Sequence, residues 1–288
     1  MDLIRNWTGR LLISVFLWAS HSPEALAKVR PWETDLPLYE VGLAGAVFYL
    51  QDYPAADQGR LRALALPYVY YRGKVLRADD EGGIRGKVME KDRIEFDLSA
   101  SAAFPANSED NKARGGMPDL DWIGEVGPRL RVHIMEDENV RLDFNMPVRY
   151  VFSTDFTRMD DRGYLFQPQL ALHVENVWQE EWDLTFLFSA QFASDQLMDY
   201  FYEVPAEFAT PERPSFQAKG GLLGNNLVVG VSREVKPKFT VFCGIKVDYY
   251  GLSVNRRSPL FKDPWNSAFA VGFSYQMYES VERAGDWF

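Results

Sequence analysis

Three histidines and one cysteine are the residues of this chain best suited to nucleophilic, acid–base or metal chemistry. His21 falls in an N-terminal segment that reads as removable, which leaves His133, His173 and Cys243. Glu175, Asp183 and Ser189 lie near the histidines in sequence, and a serine, a histidine and a carboxylate are the makings of a nucleophilic triad. No nucleophile motif or triad spacing marks them, and no Cys/His cluster has metal-ligand spacing. The Asp and Glu residues form no recognisable acid–base pair. Cys243 shares the parity of Phe239, Val241, Ile245 and Val247, where a thiol acts as a small hydrophobe, and alone it closes no intrachain disulfide. The pattern points away from catalysis and implies no metal and no cofactor.

What these charged residues can do is pair with one another. Glu125, Arg129, Arg131, Arg141, Asp143, Arg149, His173 and Glu175 all fall on the polar parity of alternating runs, so they are candidate lining charges of a wet interior. The longest run is Val140–Phe152. There Val140, Leu142, Phe144, Met146, Val148, Tyr150 and Phe152 oppose Arg141, Asp143, Asn145, Pro147 and Arg149, the period of a strand with one apolar and one polar face. Similar runs cover Arg93–Phe104, Leu120–Ile134, Tyr164–Asn176 and Trp182–Phe192. Weaker ones cover Tyr39–Leu50, Leu61–Arg72, Lys74–Met89, Ser215–Leu223, Leu227–Val235, Lys238–Tyr250 and Ser267–Tyr278. Tight connections are expected at Glu136-Asp137-Glu138, Gly224-Asn225-Asn226 and Lys236-Pro237, and longer ones at 51–60, 105–119, 153–163, 194–214 and 251–266.

The N-terminus sets the compartment. Arg5 and Arg10 precede a short apolar core, Leu11–Ala19, and Ala25-Leu26-Ala27 is an A-x-A cleavage site, so residues 1–27 read as a secretory signal peptide. The rest, 28–288, reads as a single domain with a short tail from about 279. Its formal net charge of −10 argues against nucleic acid as a partner. The best runs are about 11–13 residues long, against the ~9–11 that a tilted strand needs to cross a bilayer and the ~5–6 usual in soluble sheets. Aromatics gather near run ends (Trp122, Tyr150, Phe152, Tyr164, Trp178, Trp182, Tyr249, Tyr250), as interfacial girdles do. The expected fold is therefore all-β, a closed antiparallel transmembrane barrel of about 12 strands (roughly 10–14) with outer-membrane lipid around it. Gly272, Tyr275 and Met277 fit a C-terminal barrel-assembly signal, after which the tail either caps the interior or hangs free. With twelve strands counted and both termini in the periplasm, loops 105–119, 153–163 and 194–214 fall on the periplasmic side, against the usual rule of short periplasmic turns.

An ordered set of motifs resembles the MipA/OmpV family of Gram-negative outer-membrane proteins (MltA-interacting protein and relatives). It comprises Gln51-Asp52-Tyr53-Pro54, Leu66-Pro67-Tyr68-Val69-Tyr70-Tyr71-Arg72-Gly73, Asn111–Leu120 (NKARGGMPDL), Glu125–Leu130 (EVGPRL), Tyr200–Val204 (YFYEV), Gly220-Gly221 and Ser258-Pro259-Leu260. The resemblance implies a non-enzymatic outer-membrane barrel. Its candidate role is a scaffold joining a periplasmic murein lytic transglycosylase to a penicillin-binding protein; the alternative is a narrow porin-like channel. The family carries no residue-level site. Within the third motif, Arg114, Gly115, Gly116, Met117, Pro118 and Asp119 form the candidate partner or solute loop. The same glycines and proline would equally make a structural turn that positions Trp122.

Overall fold

In the computed structural model of this chain the alternating runs become strands, with residues 37–72, 76–79, 83–86, 89–91, 93–137, 139–177 and 182–283 described. The proposed signal peptide lies outside the described residues, as do Trp178 and the last five residues. The strands are β1 (Tyr39–Gln51), β2 (Gly59–Arg72), β3 (Leu76–Asp79), β4 (Gly83–Gly86), β5 (Met89–Lys91), β6 (Ile94–Ala103) and β7 (Trp122–Asp137). They continue as β8 (Val140–Thr154), β9 (Met159–Phe166), β10 (Gln169–Val177), β11 (Trp182–Ala193), β12 (Gly221–Lys236), β13 (Phe239–Tyr249) and β14 (Trp265–Glu279). Among the described residues one α-helix, α1 (Asp195–Tyr202), and a single 3-10 turn, Ala206–Phe208, interrupt them. Among the described residues no helix is long and apolar enough to cross a membrane.

All strands join one antiparallel sheet, in the order β4-β3-β2-β1-β14-β13-β12-β11-β10-β8-β7-β6-β5, with β9 bridging β8 and β11. The first and last strands pair, since β1 runs against β14 from Glu40↔Glu279 to Tyr49↔Phe269. The two ends of the path are β4 and β5, and β4 also lies beside β6. β4 and β5 run in one direction, as do β9 and β10. Fourteen strands therefore make twelve passes.

The burial of the sheet is the reverse of a soluble protein's. In β8 every second residue from Arg141 to Ser153 is buried, and most of these are polar: Arg141, Asp143, Asn145, Arg149 and Ser153, with Pro147 and Val151 between them. From Val140 to Phe152 their neighbours on the other face are apolar and half-buried, with Val148 exposed, and Phe188, Phe269 and Val271 are exposed on the same face of other strands. Aromatic pairs ring this face at both ends. Tyr49–Phe269, Tyr249–Trp265 and Phe166–Phe192 lie toward one rim, Tyr39–Tyr278 and Phe239–Phe273 toward the other. Tyr275 and Met277 also face outward.

Several sequence expectations are corrected. Lys74–Met89 is not one strand, because β3 and β4 fold back on each other (Leu76↔Gly86, Asp79↔Gly83). Gly224-Asn225-Asn226 is not a turn. It lies inside β12, where Gly224 makes room for the Tyr250 ring and Asn226 accepts a hydrogen bond from Ser189 Oγ at 2.9 Å. Tyr164–Asn176 breaks at Gln167-Pro168, since proline has no N–H for the ladder. Tyr250 is no girdle residue; it is buried inward. The tail does not leave the sheet at 279: Leu38 N donates to Glu282 O at 2.8 Å, and Pro37 bridges Arg283. Splitting 74–89 and joining 215–235 changes the direction of every strand between them. Loops 105–119, 153–163 and 194–214 therefore lie at the end opposite both termini.

That end carries a second kind of order. Segments 52–58, 104–121, 194–220 and 250–264 fold over it as a cap with its own apolar core: Tyr53, Met117, Leu120, Leu197, Met198, Phe201, Tyr202, Val204 and Leu260. α1 belongs to it, with Leu197, Met198, Phe201 and Tyr202 turned inward. Leu260 is fully buried there. Leu260→Ala should cost about 2–5 kcal/mol of cap stability. Limited proteolysis should then cut 194–220 and 250–264 faster while the sheet stays resistant.

Candidate functional site

Motifs scattered over two hundred residues of sequence meet in the cap. Asp52 accepts from Asn111 Nδ2 at 2.9 Å and from Arg60 Nε at 3.0 Å. Tyr53 Oη donates to Leu260 O at 2.8 Å, and Tyr202 Oη to Pro54 O at 3.0 Å. Ser258 Oγ donates to Tyr202 O at 2.7 Å, and Asp121 N to Tyr200 Oη at 2.6 Å. Each bond links a different pair of segments, so the cap is tied as one unit. Burial raises the phenols of Tyr53, Tyr202 and Tyr250 well above their usual range, so all three stay neutral at any physiological pH.

The candidate loop divides into a buried half and an exposed half. Arg114 is buried and donates to Ser108 Oγ (3.3 Å) and to Pro118 O (3.1 Å), while its guanidinium lies 5.8 Å from the Tyr53 ring centre. Burial pulls its pKa below the usual guanidinium range. Met117 fills the core, and Asp119 Oδ1 accepts from Ser108 N at 2.7 Å. Gly115 and Gly116 are exposed, and Gly116 sits at φ +75°, a conformation costly for other residues. Arg213 clamps the turn from outside, donating to Ala113 O at 3.0 Å and Gly115 O at 2.9 Å. Sequence reading missed Arg213, Asp52 and Asn111 as partners of this loop. Asp52 and Asn111 were visible inside motifs, but nothing in the spacing joins Arg213 to residue 113.

Beneath the cap, the candidate lining charges form an ion-pair lattice on the inward face. Arg129 holds Asp97 bidentately, Nε–Oδ1 2.9 Å and Nη2–Oδ2 2.7 Å. Arg149 reaches Glu125 and Gln167, both at 3.1 Å. Asp143 takes His133 Nδ1 at 2.7 Å and Arg141 at 3.0 Å, and Arg131 stands 3.9 Å from Glu95. His173 Nδ1 lies 3.1 Å from the Thr185 hydroxyl. Glu175 lies near the turn end of β10, where its N–H bonds Asn139 O at 2.8 Å. Lys246–Asp248 at 3.0 Å adds a pair that sequence reading passed over. Among the described residues no cluster of His, Cys, Asp and Glu could hold a metal ion.

On the outer side of the cap lies a cleft of about 450 Å³, walled by Arg114, Asp119, Arg158, Arg162, Asp199 and Tyr200 among others. Arg162 stacks 4.1 Å from the Tyr200 ring centre. Partial burial and the neighbouring Glu203 and Asp195 raise the Asp199 carboxyl. Beside it, Asp155 is held down to about 2 by the Thr157 hydroxyl and the N–H groups of Arg158 and Thr157.

Two measurements test this geometry. Arg129→Met strands the buried Asp97 and should cost about 3–5 kcal/mol, whereas Arg158→Ala, at an exposed pair, should cost under about 1 kcal/mol. Urea unfolding in lipid vesicles reads both. The folded pKa of Asp155 is depressed, so its contribution is present above ordinary carboxylate pKa values and fades as pH falls toward about 2. Carbon-detected NMR of its carboxyl should titrate with a midpoint near that value.

Comparison with known proteins adds to this geometry. No curated protein matches the chain. Among solved structures it is similar to a bacterial polysaccharide outer membrane secretin, with a TM-score of 0.41 and 8% identity over 84% of this chain and 99% of that one. The family model described as MltA-interacting protein MipA matches residues 43–277. That span takes in the cap, the ion lattice and all but a few residues at the two ends of the sheet, and the chain belongs to the MipA family.

Proposed function

We propose that the chain is a closed, twelve-pass β-barrel of the Gram-negative outer membrane that serves as a non-enzymatic scaffold for murein-synthesising and murein-degrading enzymes. Lipid surrounds its apolar outer face. The observation that carries the reading is the pairing of a charge-packed interior with a cap whose apolar core lies across one end. A conducting channel needs a continuous wet path, and both features oppose one. A periplasmic lytic transglycosylase and a penicillin-binding protein are the candidate partners, in keeping with the family's name.

Sidedness follows from the usual rule that periplasmic turns are short and extracellular loops long. The short turns at 138–139 and 237–238 share an end with Pro37 and Arg283, so that end belongs to the periplasm and the cap to the cell surface. Periplasmic partners then dock on the short-turn rim, and the cap is free for a separate task.

Planar-bilayer recording of refolded residues 28–288 should give no reproducible conductance steps. Steps whose ion selectivity changes in Arg149→Glu would replace the scaffold with a channel. Lys112→Cys should react with a membrane-impermeant maleimide on intact cells; protection there, with reaction only after the outer membrane is opened, would reverse the orientation.

A further inference from the structure

Most arginines of the cap are spoken for. Arg60 holds Asp52 and Asp110, Arg158 and Arg162 share Asp160, and Arg213 donates to backbone carbonyls. Lys219, Arg256 and Arg257 differ: all three are exposed, and among the described residues none has a carboxylate at ion-pair distance. The acids of the segments around them are engaged elsewhere. Asp195 accepts from Gly220 N at 2.6 Å and Asp263 from Trp265 N at 2.9 Å, while Glu203 lines the outer cleft. In a chain of net charge −10 this is an uncompensated basic spot.

The fold assembles that spot. Asn255, 1% exposed, joins positions 219 and 256: its Nδ2 donates to Lys219 O at 2.8 Å, and its Oδ1 accepts from Lys219 N at 3.0 Å. Burial along 252–258 runs against the habit of a loop in water. Ser253, Asn255 and Ser258 are buried, whereas Leu252 and Val254 are 56% and 50% exposed and Arg256 and Arg257 are exposed with them. Their place on the rim accounts for this. Val254 N donates to Leu222 O at 3.1 Å, and Leu222 is the register partner of Phe192, one of the outward rim aromatics. Leu252 follows closely on Tyr249, whose ring centre lies 4.5 Å from that of Trp265. The exposed apolar pair thus carries the lipid-facing surface just past its aromatic girdle, the level at which headgroups begin, and the cations follow at once.

We propose that this lobe binds the phosphorylated glycolipid of the outer leaflet, with its phosphate on Lys219, Arg256 and Arg257 and its acyl chains against Leu252 and Val254. Guanidinium groups match phosphate bidentately, and an apolar pair beside them favours a lipid headgroup over a free anion. The site rests on the barrel reading and on the cap lying at the cell surface. Heat-shifted gel migration reports the first independently, and the Lys112→Cys labelling reports the second.

The test adds diphosphoryl lipid A to the refolded mature chain in dodecyl maltoside and reads retained lipid by native mass spectrometry. Wild type should keep lipid A and release its dephosphorylated form. Arg256→Gln with Arg257→Gln, and separately Leu252→Ser with Val254→Ser, should each weaken retention about tenfold or more. Lys236→Gln with Lys238→Gln removes the same charge at the opposite rim and should bind as wild type. No retention by heat-shifting wild-type protein would overturn the site, as would equal weakening by the opposite-rim pair. Equal retention of phosphatidylglycerol would overturn it in favour of a surface for any anionic lipid, and displacement by millimolar inorganic phosphate in favour of a free-anion site. Loss of the heat-shifted band in wild type would count against the barrel and the site together. Protection of Lys112→Cys on intact cells would put the lobe out of reach of the outer leaflet and overturn the site through its orientation.

Discussion

An apolar outer face turns the charges in the middle of the sheet inward, and a charge turned inward must find an opposite one. The Arg129–Asp97, Arg149–Glu125 and Arg141–Asp143–His133 contacts answer that constraint. None of them is worth much against an apolar replacement of equal shape, because desolvation consumes most of the attraction. Their importance is in what happens when one partner goes missing, since the other then stays buried and unpaired. The lattice thereby also fixes register: a one-residue slip of β7 against β8 would turn Arg129 and Arg131 toward the apolar side and Leu130 toward the interior.

The cap obeys different physics. It packs Leu197, Met198, Tyr202 and Leu260 against one another as a small soluble domain would, and its polar groups are stitched by hydrogen bonds between distant segments. Strand ladders determine the sheet beneath it, but only side-chain packing determines the cap. Five of the seven motifs lie wholly or partly there, and the other two, at 66–73 and 125–130, lie along β2 and β7. An alternating strand tolerates many residues of the right polarity, whereas a tyrosine whose hydroxyl must meet one carbonyl, or a glycine at φ +75°, tolerates few.

Between cap and lattice the interior is uneven. Bulky ions crowd one wall, and the opposite wall carries Ala44, Ala46 and Gly272 with leucines across from them.

Most of the sheet was legible in the sequence, because alternation is a local signal: Val140–Phe152 declared both its conformation and its two faces, and the lining arginines could be told from the lipid-facing residues by parity alone. Turn chemistry was less reliable. Gly224-Asn225-Asn226 reads as a hairpin on any local rule, yet it continues a strand, because Tyr250 from another segment needs the space over Gly224. That single misreading, with the unseen reversal between β3 and β4, reversed the sidedness of the long loops. The candidate loop was found by its glycines and proline, but its anchoring by Arg213 and Asp52 was not, since those contacts bridge about a hundred and about sixty residues. By itself, then, the sequence determined strand, face and charge, which depend on neighbours two residues away. Only the tertiary structure decided which Arg meets which Asp and that the long loops close into a cap. Those outcomes depend on closure in space, which period-2 spacing does not encode.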